Sequence, residues 1–145
     1  MRTASILLAT VLFGALAGCS NADRIAFATP MPEARITSAT ALVGDHGVAG
    51  IEGVEFTSLR KDFTVAITQD RIAVRDDCVT TGWNYHFDGP TLVTQAIPGP
   101  TCRRALTPEE QGLVTAFTGA TKVSRTAVNG LLFEGTGGTV TLFRT

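Results

Sequence analysis

The sequence is poor in lysine and histidine and has few aromatic residues other than phenylalanine. It contains two Lys, two His, one Trp and one Tyr, and 13 acidic residues outweigh 12 basic ones, for a net charge of −1. No stretch of the chain concentrates positive charge. This lack of a basic patch argues against nucleic-acid binding and against a purely electrostatic role at a membrane surface.

Sequence motifs of common catalytic and metal-binding sites are also missing. There is no Gly-x-Ser-x-Gly elbow, and the only regularly spaced glycines lack the Lys-Ser/Thr of a phosphate-binding loop. His46 and His86 have no Cys or carboxylate at a recurrent ligand spacing, so we interpret both as surface or turn histidines. We therefore expect no catalytic residue, no metal and no cofactor.

The amino terminus predicts export and lipid anchoring. Residues 6–17 form an apolar run that is too short to span a hydrocarbon core of about 30 Å as a permanent helix. The run ends in Leu16-Ala17-Gly18-Cys19, which resembles the bacterial lipobox, where the Cys receives diacylglycerol and becomes the new amino terminus. We therefore predict a signal peptide over residues 1–18 and lipidation of Cys19. An ordinary secretory signal with a chance Cys is the alternative.

The residues from Cys19 onward predict which membrane holds the protein and how the domain is tethered to it. Several acyl chains on one residue give stable anchoring, whereas a single chain is marginal at roughly 0.8 kcal/mol per buried methylene. Ser20 stands where an Asp would retain a proteobacterial lipoprotein in the inner membrane, so we expect the outer membrane and a domain facing the periplasm. Residues 19–35 contain Pro30 and Pro32 and are interpreted as a tether, which leaves residues 36–145 as one folded domain.

Alternation of apolar and polar residues predicts a mainly β domain. Residues 63–68 and 71–75 form one hairpin, and residues 83–88 and 91–97 form a second, with Trp83, Tyr85 and Phe87 on one face. Three further strands follow at 122–128, 131–134 and 139–144. Weaker strand candidates at 36–43 and 53–59 flank a segment interpreted as a mobile loop because of its glycines, Gly44, Gly47, Gly50 and Gly53.

A single helix interrupts the strands. Thr107 is a suitable N-cap, Pro108 suits the first helical position, and Glu110 can return a hydrogen bond to the cap, so both halves of a capping box are present. Apolar residues then recur at helical spacing until Gly119, which suits the stop. We expect a helix of about ten residues that lies on one end of an antiparallel sheet.

The two remaining cysteines predict a covalent crosslink. Once Cys19 carries lipid, Cys78 and Cys102 are left to pair in the oxidising periplasm. Their disulfide would contribute roughly 3 to 4 kcal/mol in the chain-entropy description. A nucleophilic group of Cys78, His86 and Asp88 competes for the same sulfur and is the less favoured hypothesis.

The order of strand, Cys78, aromatic hairpin, Cys102, helix and closing strands resembles the META/HslJ-like domain. Tyr85 matches the hairpin aromatic of that family, and Glu109 and Glu110 match the start of its helix. The resemblance implies a small antiparallel barrel-like sheet with one α-helix in an exported or lipid-anchored envelope protein linked to stress. It implies no catalytic residues, because none are established for the family.

We therefore expect a non-enzymatic envelope lipoprotein that binds or stabilises an envelope protein or small ligand under stress. The alternative is a carrier that holds a small apolar ligand or lipid inside the barrel. A hydrolase would need a free Cys78. The adjacent acidic residues, Asp76-Asp77 and Glu109-Glu110, do not resemble an acid/base pair. Arg103 and Arg104 are interpreted as solvated charges or as contacts for envelope anions.

Overall fold

The computed structural model describes residues 33–54, 60–76, 78–79, 81–100 and 103–145. The predicted signal peptide and most of the predicted tether lie outside the described residues, as do Cys19 and Cys102. The first described strand begins at Ala34, within the last residues assigned to the tether.

Nine strands, one α-helix and a single turn of 3-10 helix make up the described part of the chain. In chain order they are β1 Ala34–Ile36, the 3-10 turn Ala39–Ala41, β2 Gly44–Ile51, β3 Arg60–Ile67, β4 Arg71–Arg75, β5 Gly82–Asp88, β6 Thr91–Ile97, α1 Pro108–Thr118, β7 Ala120–Arg125, β8 Leu131–Gly135 and β9 Gly138–Arg144.

All nine strands belong to one antiparallel sheet in the order β1-β7-β8-β9-β2-β3-β4-β5-β6. The sheet curls into a half-barrel, so that β6 at one edge packs close to β7 near the other. The expected mainly β fold, with a barrel-like antiparallel sheet and one helix, is confirmed in this form. The strand order also brings β9, near the end of the chain, beside β2.

Both hairpins predicted from alternation are confirmed, as β3–β4 and β5–β6. In the first, Val65 pairs with Val74 and both side chains are buried. In the second, Trp83 and Tyr85 are buried and Phe87 is half-buried, while the residues between them are exposed. The three closing strands are also present. The first of them ends at Arg125 instead of 128, and the turn that follows contains a residue in the left-handed region, Asn129, at φ 65°.

The segment predicted as a mobile glycine loop is in fact the central strand β2. It is hydrogen-bonded to β3 on one side and to β9 on the other, with register irregularities next to Gly47 and Gly50. Glycine contributes no side chain, so the alternation that marks a strand is hidden here. Pairing with two strands that are distant in sequence decides the conformation instead.

The two weaker strand predictions around this segment differ from the structure. Only Ile36 of the predicted strand 36–43 lies in a strand, and a 3-10 turn follows, placing Leu42 in the core. Gly53 lies in a turn with φ 77°, and residues 55–59 of the predicted strand 53–59 lie outside the described residues.

The helix begins and ends as the sequence predicts. The Thr107 backbone N–H donates to Glu110 Oε2 at 2.6 Å, and the Glu110 backbone N–H donates to Thr107 Oγ1 at 3.3 Å, which completes the capping box. Gly119 is the C-cap. A Cβ on the nearby Gly137 would collide with the carbonyl of Thr115, so glycine permits the β8–β9 turn to approach the helix end.

An aromatic cluster joins α1 to the interior of the half-barrel. The Phe117 ring lies between Trp83 and Phe133, with ring centroids 5.1 Å and 5.2 Å away, and all three side chains are fully buried. The Trp83 indole N–H donates to Thr118 Oγ1 at 3.1 Å, so its polar group is satisfied. Within the described ranges, no helix has both the length and the apolar character needed to cross a membrane.

We predict that Phe117→Ala lowers the free energy of unfolding by about 3 to 5 kcal/mol, because it leaves a cavity between two rings that the backbone cannot close. Denaturant unfolding followed by circular dichroism measures this change. Val128→Ala is the control, since Val128 is 70% exposed and its truncation should change stability by about 0.5 kcal/mol or less. Equal, small losses for both variants would contradict the central role of the cluster.

Candidate functional site

Of the three cysteines with a predicted covalent role, only Cys78 lies among the described residues. Cys78 is buried in a bend after β4, where its backbone N–H donates to Asp76 Oδ2 at 3.5 Å. Its predicted partner Cys102 and the predicted lipidation site Cys19 lie outside the described residues. The Cys78–Cys102 disulfide and the lipid anchor therefore stay predictions.

His46 is not the surface or turn histidine that the sequence suggests. It lies in β2 with 5% of its surface exposed, and its Nε2 is 3.0 Å from the carbonyl oxygen of Leu42. A carbonyl can only accept, so Nε2 carries the proton and donates, while the buried Nδ1 has no hydrogen-bond partner. Burial lowers the pKa of His46, because the charged form loses hydration.

His86 occupies the exposed position that the hairpin pattern predicts. It lies in β5 beside Asn84 on the outer face, whereas Cys78 lies before the start of that strand. Cys78 is buried, whereas the His86 side chain is exposed on the outer face of the sheet. The hypothetical group of Cys78, His86 and Asp88 is therefore not brought together. Among the described residues, no group of three or more His, Cys, Asp or Glu side chains is placed to hold a metal ion.

The interpretation of Arg104 as a solvated charge is wrong. Its guanidinium donates to both carboxylate oxygens of Glu110, at 2.7 Å and 2.6 Å, and also to the carbonyl oxygen of Ala105. Glu110 is almost fully buried, whereas the Arg104 side chain is 50% exposed. Because Glu110 also closes the capping box, this bidentate pair joins the helix start to the preceding loop.

The Arg104 pair sets the protonation of Glu110. Its hydrogen bonds are the main cause that lowers the pKa of Glu110 to about 2, against the opposing effect of burial. The hydrogen bond that Glu110 accepts from the Thr107 backbone N–H acts in the same direction as Arg104. Glu110 is therefore a charged structural group at neutral pH.

A polar groove lies on the outer face of β5 and β6. It has a volume of about 310 Å³ and is lined by Asp70, Asn84, Tyr85, His86, Val93 and Gln95. The Tyr85 hydroxyl donates to the carbonyl oxygen of Thr68 at 2.6 Å, and burial raises the pKa of Tyr85 to about 12. The phenol therefore remains a neutral hydrogen-bonding group, and the groove can offer amide, imidazole and carboxylate groups to a polar partner.

A smaller cavity, which we call the basic mouth, opens at the end of the half-barrel away from α1. The helix contacts β2 at Ile51, its last residue, whereas the mouth lies near the first residues of that strand. The cavity has a volume of about 60 Å³. Its lining residues are Ala41, Val43, His46, Arg125, Asn129, Leu131 and Arg144.

Two arginines from separate strands bring positive charge to the basic mouth. Arg125 ends β7 and Arg144 ends β9, where it pairs with His46 across the sheet. Gly44, at φ 146°, allows this arrangement, because a Cβ there would lie 2.9 Å from Arg144 Nη2. No spacing in the sequence indicates this site, since the three side chains come from three strands and meet only through the sheet order.

No protein-family model, no curated protein and no solved structure matches this chain.

We predict that stability falls as pH drops from about 4.5 toward 2, because the folded state keeps Glu110 charged where the unfolded chain would bind a proton. Glu110→Gln should lower the free energy of unfolding at pH 7 by about 1 to 3 kcal/mol, since it breaks the Arg104 pair. It should also reduce the slope with which stability falls between about pH 4.5 and pH 2. Urea unfolding at a series of pH values measures both effects. Glu52→Gln, at an exposed turn position, is the control and should keep the wild-type slope. An unchanged slope in Glu110→Gln would contradict the assignment.

Proposed function

We propose that this chain is a lipid-anchored protein of the bacterial cell envelope, with a META/HslJ-like domain that binds a partner without catalysis. The lipobox ending at Cys19 and the proline-containing tether support anchoring, with the outer membrane and the periplasmic side favoured by Ser20. The antiparallel half-barrel with one helix agrees with the fold that the resemblance implies. The stress-related role rests on the resemblance alone.

The proposed binding role is supported by the position of the polar groove relative to the filled interior of the half-barrel. The concave side of the half-barrel is occupied by fully buried side chains, among them Trp83, Phe63, Phe117 and Phe133. The polar groove on β5 and β6, in contrast, opens outward. This arrangement favours binding at the surface over the alternative of a carrier with an apolar ligand inside the barrel.

The partner best suited to the groove is a polar one. Asn84 and Gln95 offer amide groups, His86 offers an imidazole and Asp70 a carboxylate. Val93 contributes an apolar side chain, whereas the Tyr85 side chain is buried. Such a surface recognises a partner through hydrogen bonds, with Val93 and the aliphatic parts of the polar side chains adding apolar contact. An exposed protein segment of the envelope fits this chemistry.

We predict that a photo-crosslinking residue at Gln95 in the full-length protein forms one adduct of defined mass in cells. The adduct should be lost in a variant with Asn84→Ala and His86→Ala, because both side chains are exposed and supply the hydrogen bonds of the groove. The same photo-reactive residue at Val128, which is 70% exposed in the turn after β7, is the control and should give no such adduct. Equal adducts at Gln95 and Val128, or none at either, would contradict the groove as the binding surface.

We predict that the envelope-extracted protein begins at a lipid-modified Cys19 and carries no free thiol. Mass spectrometry after unfolding and alkylation without reduction checks both expectations, since a Cys78–Cys102 disulfide blocks alkylation of both sulfurs. Prior reduction is the control and should add two alkyl groups. An unmodified Cys19 would contradict the anchor, and two free thiols would contradict the bridge and favour the Cys78 nucleophile.

A further inference from the structure

The arginines of the basic mouth hold positive charge that no side chain of the described part neutralises. The Arg125 guanidinium donates to Asn129 Oδ1 at 2.9 Å and to the carbonyl oxygen of Ala41 at 3.2 Å. Arg144 donates to the carbonyl oxygen of Val43 at 3.1 Å. Every one of these acceptors is neutral, and neither arginine forms an ion pair within the described ranges.

These contacts also leave donors available. A guanidinium carries five N–H groups, so each arginine has more donors than its protein acceptors occupy. The contacts with Asn129, Ala41 and Val43 hold the two groups at the rim of the same cavity. Two oriented guanidinium groups beside one small cavity are suited to an oxyanion, because each can donate to it in a fixed fork geometry.

The cavity is the smaller of the two described above, with a volume of about 60 Å³ against about 310 Å³ for the polar groove. The two guanidinium groups at its rim suit a small charged group, and a larger molecule would place its charged end beside them.

Charge distinguishes between the two kinds of oxyanion. A carboxylate brings one negative charge on two oxygens, whereas a phosphate group brings between about one and two charges on more oxygens at neutral pH. Two guanidinium groups from separate strands can each donate to different oxygens of one phosphate. The His46 Nδ1 takes no part, because less than 1 Å² of its surface is accessible.

We infer that the basic mouth binds one phosphate group, supplied either as inorganic phosphate or as the phosphomonoester head of a lipid. Arg125 and Arg144 donate to its charged oxygens. This site goes beyond the proposed function, because it uses different residues from the outer groove and a different chemistry.

Isothermal titration of the full-length protein in a neutral detergent, with inorganic phosphate at constant ionic strength and pH 7, tests the inference. Wild type should bind one phosphate saturably. Arg125→Gln and Arg144→Gln should each weaken binding at least tenfold, because each removes charge-assisted hydrogen bonds. Arg75→Gln is the matched control, since Arg75 is an exposed arginine at the far end of β4, and its affinity should stay within twofold of wild type.

A folding check and a second anion make the titration result interpretable. Thermal unfolding without phosphate identifies any variant that fails to fold, and Arg144→Lys then replaces it, since it keeps the charge but loses the fork and should bind with intermediate affinity. Acetate should bind at least tenfold more weakly than phosphate. No saturable phosphate binding, equal binding of acetate, or an equal loss in Arg75→Gln would overturn the inference.

Lipid vesicles distinguish a lipid headgroup from free phosphate as the ligand. Phosphatidylcholine vesicles with and without phosphatidic acid are offered to wild type and to Arg144→Gln. If the inference holds for a lipid head, only wild type gains binding from phosphatidic acid, and inorganic phosphate competes with it. If the inference holds for free phosphate, the vesicles make no difference and the titration alone shows the site.

Discussion

The packing of Phe117 between Trp83 and Phe133 is the interaction on which the rest of this structure depends. It joins α1 to strands from both halves of the curled sheet and fills the interior with side chains. A sheet of nine antiparallel strands has two edges, and packing of a common core lets it curl until β6 approaches β7. The capping box and the close glycine contacts of the β8–β9 turn then place both ends of the helix over this core.

The two ends of the half-barrel differ in how their charges are satisfied. At the helix end, the buried Glu110 is matched by Arg104, so the charge has a partner and the pair serves the fold. At the other end, Arg125 and Arg144 contact only neutral acceptors of the described chain. A buried charge without a partner is costly, whereas an exposed guanidinium at a rim remains hydrated until an anion replaces the water. This difference is why we assign a structural role to one end and a binding role to the other.

Much of the fold and little of the candidate site could be predicted from the chain alone. Alternation over residues 63–75 and 83–97 predicted both hairpins, and Thr107, Glu110 and Gly119 predicted the helix, because these signals act between near neighbours. The prediction that His46 is exposed was wrong, since its burial depends on β3 and β9 on either side of β2. The interpretation of Arg104 as solvated is likewise wrong, because its bidentate partner Glu110 becomes buried only when the helix docks.

The sequence by itself determined the local elements of this protein: the hairpin turns, the strand faces and the capped helix. Each depends on residues a few positions apart, where backbone geometry and periodicity leave few choices. The tertiary structure alone decided that a glycine-spaced segment becomes the central strand and that His46, Arg125 and Arg144 meet at one cavity. These residues are far apart in the chain, and only the pairing of β2 with β9 and the curl of the sheet bring them together.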